Sequence, residues 1–368
     1  MRIFKIILLI LALTGGAVLC AIRWNAWFGN PPEPQWMGDT IDYSFHTFGQ
    51  ENVPGFEYNG IAWDDLCDPD TLKLLLFGDV HNSIRHDQWE AIGKRHPQTD
   101  FYVQLGDFVE RGYFYYNQQL YHDLRGTAFD SLAIINVPGN HEYRKGIRRT
   151  LPDYWTKTFI HPQNGTLEFK GTTYYVDFED LRIIALNTNG LQHLHEYTRA
   201  NAWVKSAIDG AGDRFVIVIM HHPVHSCGVG RRNIAISSAF LRPLNQADLV
   251  FAGHDHNYAR RLPFVNTNSA TKFYLHNLNK RNARVGSGQQ WYEDIAIYGD
   301  TLRMRTRMVD TGALYDEVLI IRHEGNREII DNGIGLPEVI AMPPKYVNSD
   351  KRKVRTFISR REKRLSQN

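Results

Sequence analysis

Five apolar runs, each ending in a cluster of Asp, Asn or His, constrain this chain more than any other feature. Leu72–Phe77 is followed by Gly78-Asp79-Val80-His81, residues 101–105 by Gly106-Asp107, and residues 132–137 by Pro138-Gly139-Asn140-His141-Glu142. Phe215–Met220 ends in His221-His222-Pro223, and residues 247–251 lead into Ala252-Gly253-His254-Asp255-His256. Apolar runs of this length, bounded by glycine and polar residues, predict buried strands. In an open α/β sheet the carboxyl ends of the strands line one crevice. Clusters spread over nearly half the chain are therefore expected to converge in space. One such cluster alone is an ordinary polar turn. Five of them, all of residue types that ligate metals, predict a metal centre. His254 and His256 stand two apart, which on an extended segment points both the same way, so that each is able to serve one of two neighbouring metals.

Between and beyond these runs the pattern alternates. Residues 83–95, 113–121 and 197–208 predict helices, the second rich in tyrosine and placed on the flank of the site. Leu167–Phe169, residues 174–178 and Leu181–Leu186 predict an antiparallel meander with turns at Lys170-Gly171 and Glu179-Asp180. Residues 272–275, 292–298, 302–308 and 317–322 predict further short antiparallel strands. No internal repeat is present. The loops at 111–130, 144–154 and 226–236 carry no readable motif.

The 368 residues, 43% of them hydrophobic, suffice for one large domain or two small ones. Residues 1–22 place Arg2 and Lys5 ahead of an apolar stretch, which reads as a signal peptide or an uncleaved membrane anchor. The anchor is the expectation, with the body outside the cytoplasm, on the periplasmic or extracellular side; cleavage would make the protein secreted. Residues 23–70, with Pro31-Pro32-Glu33-Pro34, read as a stalk and packing arm. The core domain is expected over residues 71–325, followed by a C-terminal extension, 326–368, with a basic tail. That tail holds eight basic residues and one acidic residue between 351 and 364. It reads first as a solvated, disordered end, and second as a contact for anionic lipid headgroups or a cell-wall polymer. A net charge of +2 does not point to nucleic acid. Three cysteines exclude a disulfide framework or a cysteine-rich zinc site. Cys67 and Cys227 either pair in an oxidising compartment or stay free thiols.

Taken together, the motifs are similar to those of the calcineurin-like metallophosphoesterase superfamily. That family carries, in order, D-x-H, G-D, G-N-H-[ED], a later His and G-H-x-H. Here they stand as Asp79-Val80-His81, Gly106-Asp107, Gly139-Asn140-His141-Glu142, His221 and Gly253-His254-Asp255-His256. The resemblance covers about residues 72–322, and the stretches 253–260 (GHDHNYAR) and 310–316 (DTGALYD) look most like the purple acid phosphatase branch. It implies an α/β fold: a two-sheet β-sandwich flanked by helices, the four-layer αββα architecture, with the site at one edge. It also implies two divalent metal ions, manganese, iron or zinc. Asp79, His81 and His256 would hold one, Asn140, His221 and His254 the other, and Asp107 would bridge them. The nucleophile implied is a hydroxide between the metals, and His141 would assist the leaving group.

Two departures from the purple acid phosphatases are present. The position three after Asp107 is Glu110 where they carry the tyrosine ligand, and His81 stands where they lack a histidine. Residues 106–112 (GDFVERG) instead resemble the protein serine/threonine phosphatases, in which the acidic residue orients the catalytic histidine and the arginine binds phosphate. Those roles pass to Glu110 and Arg111; read from the residues alone, Arg111 is equally a surface arginine at a helix start. Pro138-Gly139 leaves no second arginine ahead of the Asn-His motif. The resemblance implies a phosphoesterase acting on a small-molecule or lipid-linked phosphate ester, with monoesters expected first. The alternatives are a phosphodiesterase of cyclic-nucleotide, lipid-headgroup or nuclease type, or a non-catalytic phospholigand-binding module. His193, His195, His222 and His225 read as packing or supporting residues, with His225 and Tyr143 within reach of a substrate.

Overall fold

In the computed structural model, which describes residues 33–43, 45–48, 57–58, 61–62, 71–144, 150–278, 281–323 and 326–367, two seven-stranded mixed sheets organise the chain. A short hairpin pairs β1 (Glu57–Tyr58) with β2 (Ile61–Ala62). The first sheet then begins with β3 (Leu72–Phe77), β4 (Phe101–Gln104) and β5 (Ala133–Asn136), all parallel. Helices α1 (His86–Arg95) and α2 (Phe114–Leu124) connect them, and a short α3 (Asp153–Thr158) leads away.

The chain next builds the second sheet. A hairpin of β6 (Tyr174–Asp177) and β7 (Leu181–Leu186) is extended in parallel by β8 (Phe215–Met220) and β9 (Leu249–Ala252). Helices α4 (Leu194–Asp209) and α5 (Ile234–Leu244) make those crossovers. Strands β10 (Tyr258–Arg261), β11 (Phe264–Asn266) and β12 (Arg284–Gly286) complete the sheet. The chain then returns to the first sheet. There β13 (Trp291–Tyr298) pairs antiparallel with β3, and β14 (Thr301–Met308), β15 (Leu314–His323) and β16 (Asn326–Ile330) follow outward.

The strand alternation decides the layering. Leu74 and Leu76 of β3 meet Ile217 and Ile219 of β8 in one core between the sheets. Leu75 and Phe77 turn to the opposite face and pack with Trp89 and Ile92 of α1. Val216 and Val218 do the same against Val204 of α4 and Phe240 of α5. The order helix, sheet, sheet, helix follows. All five runs singled out in the sequence are parallel strands. The registers Phe77↔Gln104, Gln104↔Asn136 and Met220↔Ala252 set their carboxyl ends level within each sheet.

Several expectations are corrected. Leu167–Phe169 is a single 3₁₀ turn, so the meander reduces to the β6–β7 hairpin. Residues 272–275 form no strand; they lie in a loop tied to residues 227–229 by the Gly228↔His276 bridge. Helix α5 had no sequence signal beyond an apolar run interrupted by Pro243. Strand β16 pairs with β15 across the position where the C-terminal extension was expected to begin.

The basic tail is folded. Helix α6 (Arg352–Leu365) buries Val354 and Phe357 against Leu275, Leu278, Val285 and Ile340. Arg364 holds the buried Glu338 with Nε and Nη2 at 2.5 and 2.7 Å. Of the N-terminal arm, Phe48 joins the intersheet core and Phe45 packs on Tyr121 and Phe159. The segment 1–22 and Cys67 lie outside the described residues, so the anchor and the Cys67–Cys227 pairing do too; Cys227 is buried. Among the described residues no helix is long and apolar enough to cross a membrane.

The docking of α6 gives a first prediction. Phe357→Ala should cost about 3 kcal/mol of local stability, the usual loss for an emptied phenylalanine site. Limited proteolysis should then cut within residues 351–367 well before the core, whereas the exposed Arg355→Ala should cut like the parent. Equal resistance in both variants would refute the packing assigned to α6.

Candidate metal centre

Directly after the strand ends the backbone is strained. Among the described residues, five that are not glycine have left-handed φ: His81 at 50°, Asn82 at 51°, Asp107 at 55°, His254 at 67° and His256 at 48°. Such conformations cost on the order of 1–3 kcal/mol and persist only where the surroundings over-determine them. Four of the five are residues that the sequence motifs marked as metal ligands. The strain also overturns one expectation. The His254–His256 segment is not extended, and the two rings diverge. His254 turns to His221 and His222, and His256 turns to Asp79, His81 and Asp107. Two glycines are required by close approach. A Cβ on Gly139 would strike the Asp107 backbone nitrogen and Oδ1, and one on Gly253 would lie 2.7 Å from Asp79 Oδ2.

Asp79, His81, Asp107 and His256 form one buried group with ligand atoms all within 4.8 Å of one another. His81 Nδ1 meets Glu110 Oε2 at 2.9 Å, which turns its Nε2 inward. That Nε2 lies 3.4 Å from Asp107 Oδ2 and 4.0 Å from Asp79 Oδ1. His256 Nδ1 meets the Lys272 carbonyl at 3.3 Å and leaves Nε2 3.7 Å from Asp79 Oδ1. Asp79 Oδ1 accepts the His254 backbone N–H at 2.9 Å. Asp79 Oδ2 and His81 Nε2 are buried without a hydrogen-bond partner. Orphaned polar atoms cost roughly 1–3 kcal/mol each, and a cation between them removes that cost.

His221, His222 and His254 form the second group, again within 4.8 Å. His221 Nδ1 donates to the Leu105 carbonyl at 3.0 Å. Its Nε2 then faces Asn140 Oδ1 at 3.1 Å, His254 Nδ1 at 3.2 Å and Asp107 Oδ2 at 3.3 Å. Asp107 Oδ2 thus stands between the two groups, at nearly equal distance from His81 and His221. The sequence assigned His222 to packing. The structure brings its ring within reach of the second group, with Nδ1 3.0 Å from Thr188 Oγ1. The only signal had been the His-His pair itself.

The electrostatics suit cations. Burial lowers the pKa of His81 and His221, but Asp107 outweighs it, with Glu110 adding at His81. The two rings are held up at about 10 and about 9. Burial pushes the Asp79 carboxyl up to about 6. His254 and His256 move well below the ordinary imidazole range, through burial first and then through the adjacent His221 and His81 rings. The carboxylates therefore draw positive charge into the cluster, as protons on His81 and His221 here. A metal ion would take the place of those protons, since a ligating imidazole is neutral, as His254 and His256 already are.

His81, Glu110 and His141 make a third group. His141 Nδ1 donates to the backbone carbonyl of Glu110, and its backbone N–H donates to Asp107 Oδ1 at 2.7 Å. Glu110 thus meets His141 through its carbonyl, while its acidic side chain, expected to orient that histidine, is committed to His81. Arg111 lines a small cavity with Asn140, His141, Tyr143 and Arg144. Arg144 is a second basic residue there, which no motif announced. Tyr143 is buried, and its hydroxyl accepts from Asn187 Nδ2 at 2.8 Å. His193 and His195 stack on one another at the exposed start of α4, away from the site.

Glu142 is the residue that sequence reasoning passed over. Its buried carboxylate accepts four backbone N–H groups: Asp107 and Phe108 at 2.8 Å, Gly139 at 2.6 Å and Val109 at 3.4 Å. Burial and the adjacent Asp107 push its pKa up to about 7, against those donors. It ties the loop after β4 to the loop after β5 and fixes Asp107 where two groups share it. The signal was its place in Gly139-Asn140-His141-Glu142, where its neighbours took the attention.

Residues 72–258 match the family model described as calcineurin-like phosphoesterase, half of the chain. The chain belongs to this family. That family is one of metallophosphoesterases of the hydrolase class, and this chain's buried His/Asp cluster is consistent with a dinuclear metal site. The chain is 24% identical over 197 residues to the glycerophosphodiester phosphodiesterase GpdQ of Enterobacter lignolyticus (strain SCF1). That match spans 50% of this chain and 66% of the relative, just short of two thirds of its length. Among solved structures, the fold resembles purple acid phosphatase PPD1 from yellow lupin (Lupinus luteus) seeds. The TM-score is 0.52 at 12% identity, over 70% of this chain and 55% of the other. It also resembles GAP50, the anchor in the inner membrane complex of Plasmodium. There the TM-score is 0.51 at 15% identity, over 75% of this chain and 98% of the other. At these identities the two structures bear on the fold alone.

Glu142→Gln places an amide N–H₂ against backbone N–H donors. It should lower stability by about 2 kcal/mol and weaken metal retention about tenfold or more, as loss of a supporting residue does. Thermal melting and metal content after dialysis against a chelator read the two effects. Undiminished metal retention would show that Glu142 does not position Asp107.

Proposed function

We propose that this chain hydrolyses phosphate esters at a dinuclear centre held by Asp79, His81 and His256 on one side, Asn140, His221 and His254 on the other, and Asp107 between them. The observation that carries the reading is Asp107 Oδ2, 3.4 Å from His81 Nε2 and 3.3 Å from His221 Nε2, beside orphaned buried atoms on Asp79 and His81. Two divalent cations, manganese, iron or zinc, would there neutralise phosphate oxygens and lower the pKa of a water to near neutrality.

The chain's own groups supply the rest. Asp107 Oδ1 and the Glu110 carbonyl fix both ends of His141, its backbone N–H and its Nδ1. A proton for the leaving oxygen is then carried on Nε2, so His141 must act as the imidazolium. Burial lowers its pKa, which readies it to give that proton up. Arg111 and Arg144, beside His141 in one cavity, are placed to hold non-bridging oxygens as charge-assisted donors. Two such donors suit a doubly charged monoester, the preferred substrate class. A diester is the second reading, favoured by the curated relative, which is a phosphodiesterase. The apolar segment behind Arg2 and Lys5 supports a tether that keeps the hydrolase outside the cytoplasm.

The test is hydrolysis of an aryl phosphomonoester and its bis-aryl diester by protein stripped of metal and resupplied with manganese, zinc or iron. Activity should return with metal, favour the monoester and vanish in Asp107→Asn. His141→Ala should keep its metals and lose a hundredfold or more in kcat, the usual contribution of a general acid, on the order of 10²–10⁴. A faster diester rate would select the second reading. No turnover of either ester by the metal-loaded protein would sink the catalytic one.

A further inference from the structure

Helix α6 carries an outer surface that its packing does not explain. Val354, Phe357 and Arg364 face the body of the protein, held by the apolar patch around Leu275 and by Glu338. The other side chains of the helix are exposed, and they divide into two sides. Arg352, Arg360 and Lys363 recur at spacings that set them on one side; Ile358 and Leu365, seven apart, share the other. Both of these apolar side chains stand in solvent, 41 and 38% exposed. The chain just ahead of α6 repeats the mixture. Lys345 and Lys353 lie over the Tyr346 ring, 5.2 and 4.7 Å from its centroid, and Val347 beside it is 64% exposed. The basic side of the helix borders two hollows, of about 570 and about 740 Å³. Leu278 and Arg360 belong to both, so the hollows follow one another along α6, and no carboxylate lines either.

These charges work against the helix that carries them. Its first turn holds Arg352 and Lys353 and no acidic residue, the wrong sign for the positive end of the helix dipole. Arg352, Arg360, Arg361 and Lys363 form no ion pair among the described residues. Glu338 is taken by Arg364, Asp350 lies beside Arg355 at 3.5 Å, and Glu362 is the one acidic residue of the helix. A stretch that breaks its local rule without a compensating contact calls for a partner outside the fold. The partner has to be anionic to meet the cations, and it has to accept Val347, Ile358 and Leu365. A nucleic acid in water attracts the cations and stacks on aromatic rings, but it gives exposed aliphatic side chains no cover. The surface of an anionic bilayer suits both. Lysines and arginines meet the headgroup phosphates, and aliphatic side chains enter the boundary with the acyl chains.

We propose that α6, with residues 345–347 ahead of it, lies on the surface of an anionic lipid bilayer. Arg352, Arg360, Arg361 and Lys363 supply the attraction, their long stems reaching the headgroups from the flanks of the helix. Val347, Ile358 and Leu365 enter the interface. The contact is separate from the metal centre and from the apolar segment behind Arg2 and Lys5.

Amide exchange of the full chain on vesicles, in excess chelator, reads this contact whether or not the metal centre is catalytic. On phosphatidylcholine alone, any binding by the apolar N-terminal segment acts by itself. With phosphatidylglycerol added, exchange across residues 352–365 should slow at least about fivefold, the gain expected from one cation at an anionic surface, and high salt should remove the effect. Arg352→Gln/Arg360→Gln/Lys363→Gln should lose the response. Its melting temperature should match the parent's, because the three side chains are exposed and glutamine keeps the helix propensity. Lys157→Gln/Lys170→Gln/Arg242→Gln removes the same charge from exposed positions on other elements and should respond like the parent. Equal exchange in α6 on the two kinds of vesicle, or the same response from both triple variants, would overturn the proposal. So would an oligonucleotide that protects α6 more strongly than the anionic vesicles do.

Discussion

The Asp107 carboxylate is the constraint on which the rest of the structure depends. It is fully buried, and its pKa is held well below the ordinary carboxyl range. Burial opposes that shift, and the His221 and His81 rings overcome it. One oxygen anchors the backbone of His141, and the other stands between two histidine groups. A charge so enclosed is tolerable only where fixed partners surround it. Nearly every local feature can be traced to supplying them: Glu142 clamping the Asp107 N–H, Gly139 leaving room against it, and His221 turned inward by the Leu105 carbonyl.

That arrangement is held in place by the two sheets. The left-handed residues at the strand ends would relax if the strands slid or frayed. Parallel registers and an intersheet core drawn from both sheets prevent this. Strain is concentrated in loops, order is supplied by strands, and the ligand side chains are carried on the first residues beyond the regular structure. The return of β13 to pair with β3 joins the two halves, since it brings the chain back to the first sheet after the second is complete.

A second theme is uneven charge. The chain is close to neutral overall, at +2, yet basic residues gather in particular hollows. Arg111 and Arg144 stand beside His141, Arg231, Arg232, Arg261 and Arg281 line a cavity of their own, and α6 adds a further basic wall. Formal net charge averages this away.

How much was legible follows from which interactions are local. The five strands, their polar ends and the ligand types could be read from the sequence because short apolar runs and their glycine-bounded termini are local patterns. The family resemblance supplied the grouping of the ligands. What could not be read depends on neighbours distant in sequence. Edge strands β10 to β12 are three or four residues long and gain stability only from pairing. The tail looked solvated because its charges outnumber Val354 and Phe357, and only the apolar surface around Leu275 and Ile340 makes a helix of it. Glu110 is near His141 in either account, but whether its carbonyl or its carboxylate does the orienting is a matter of angles. His222, Glu142, Arg144 and the hollows beside α6 became visible only in three dimensions. By itself the sequence determined the strands, the ligand residue types and the family; the tertiary structure decided which atom faces which, because convergence of distant loops is set by packing and register, which no single stretch of chain encodes.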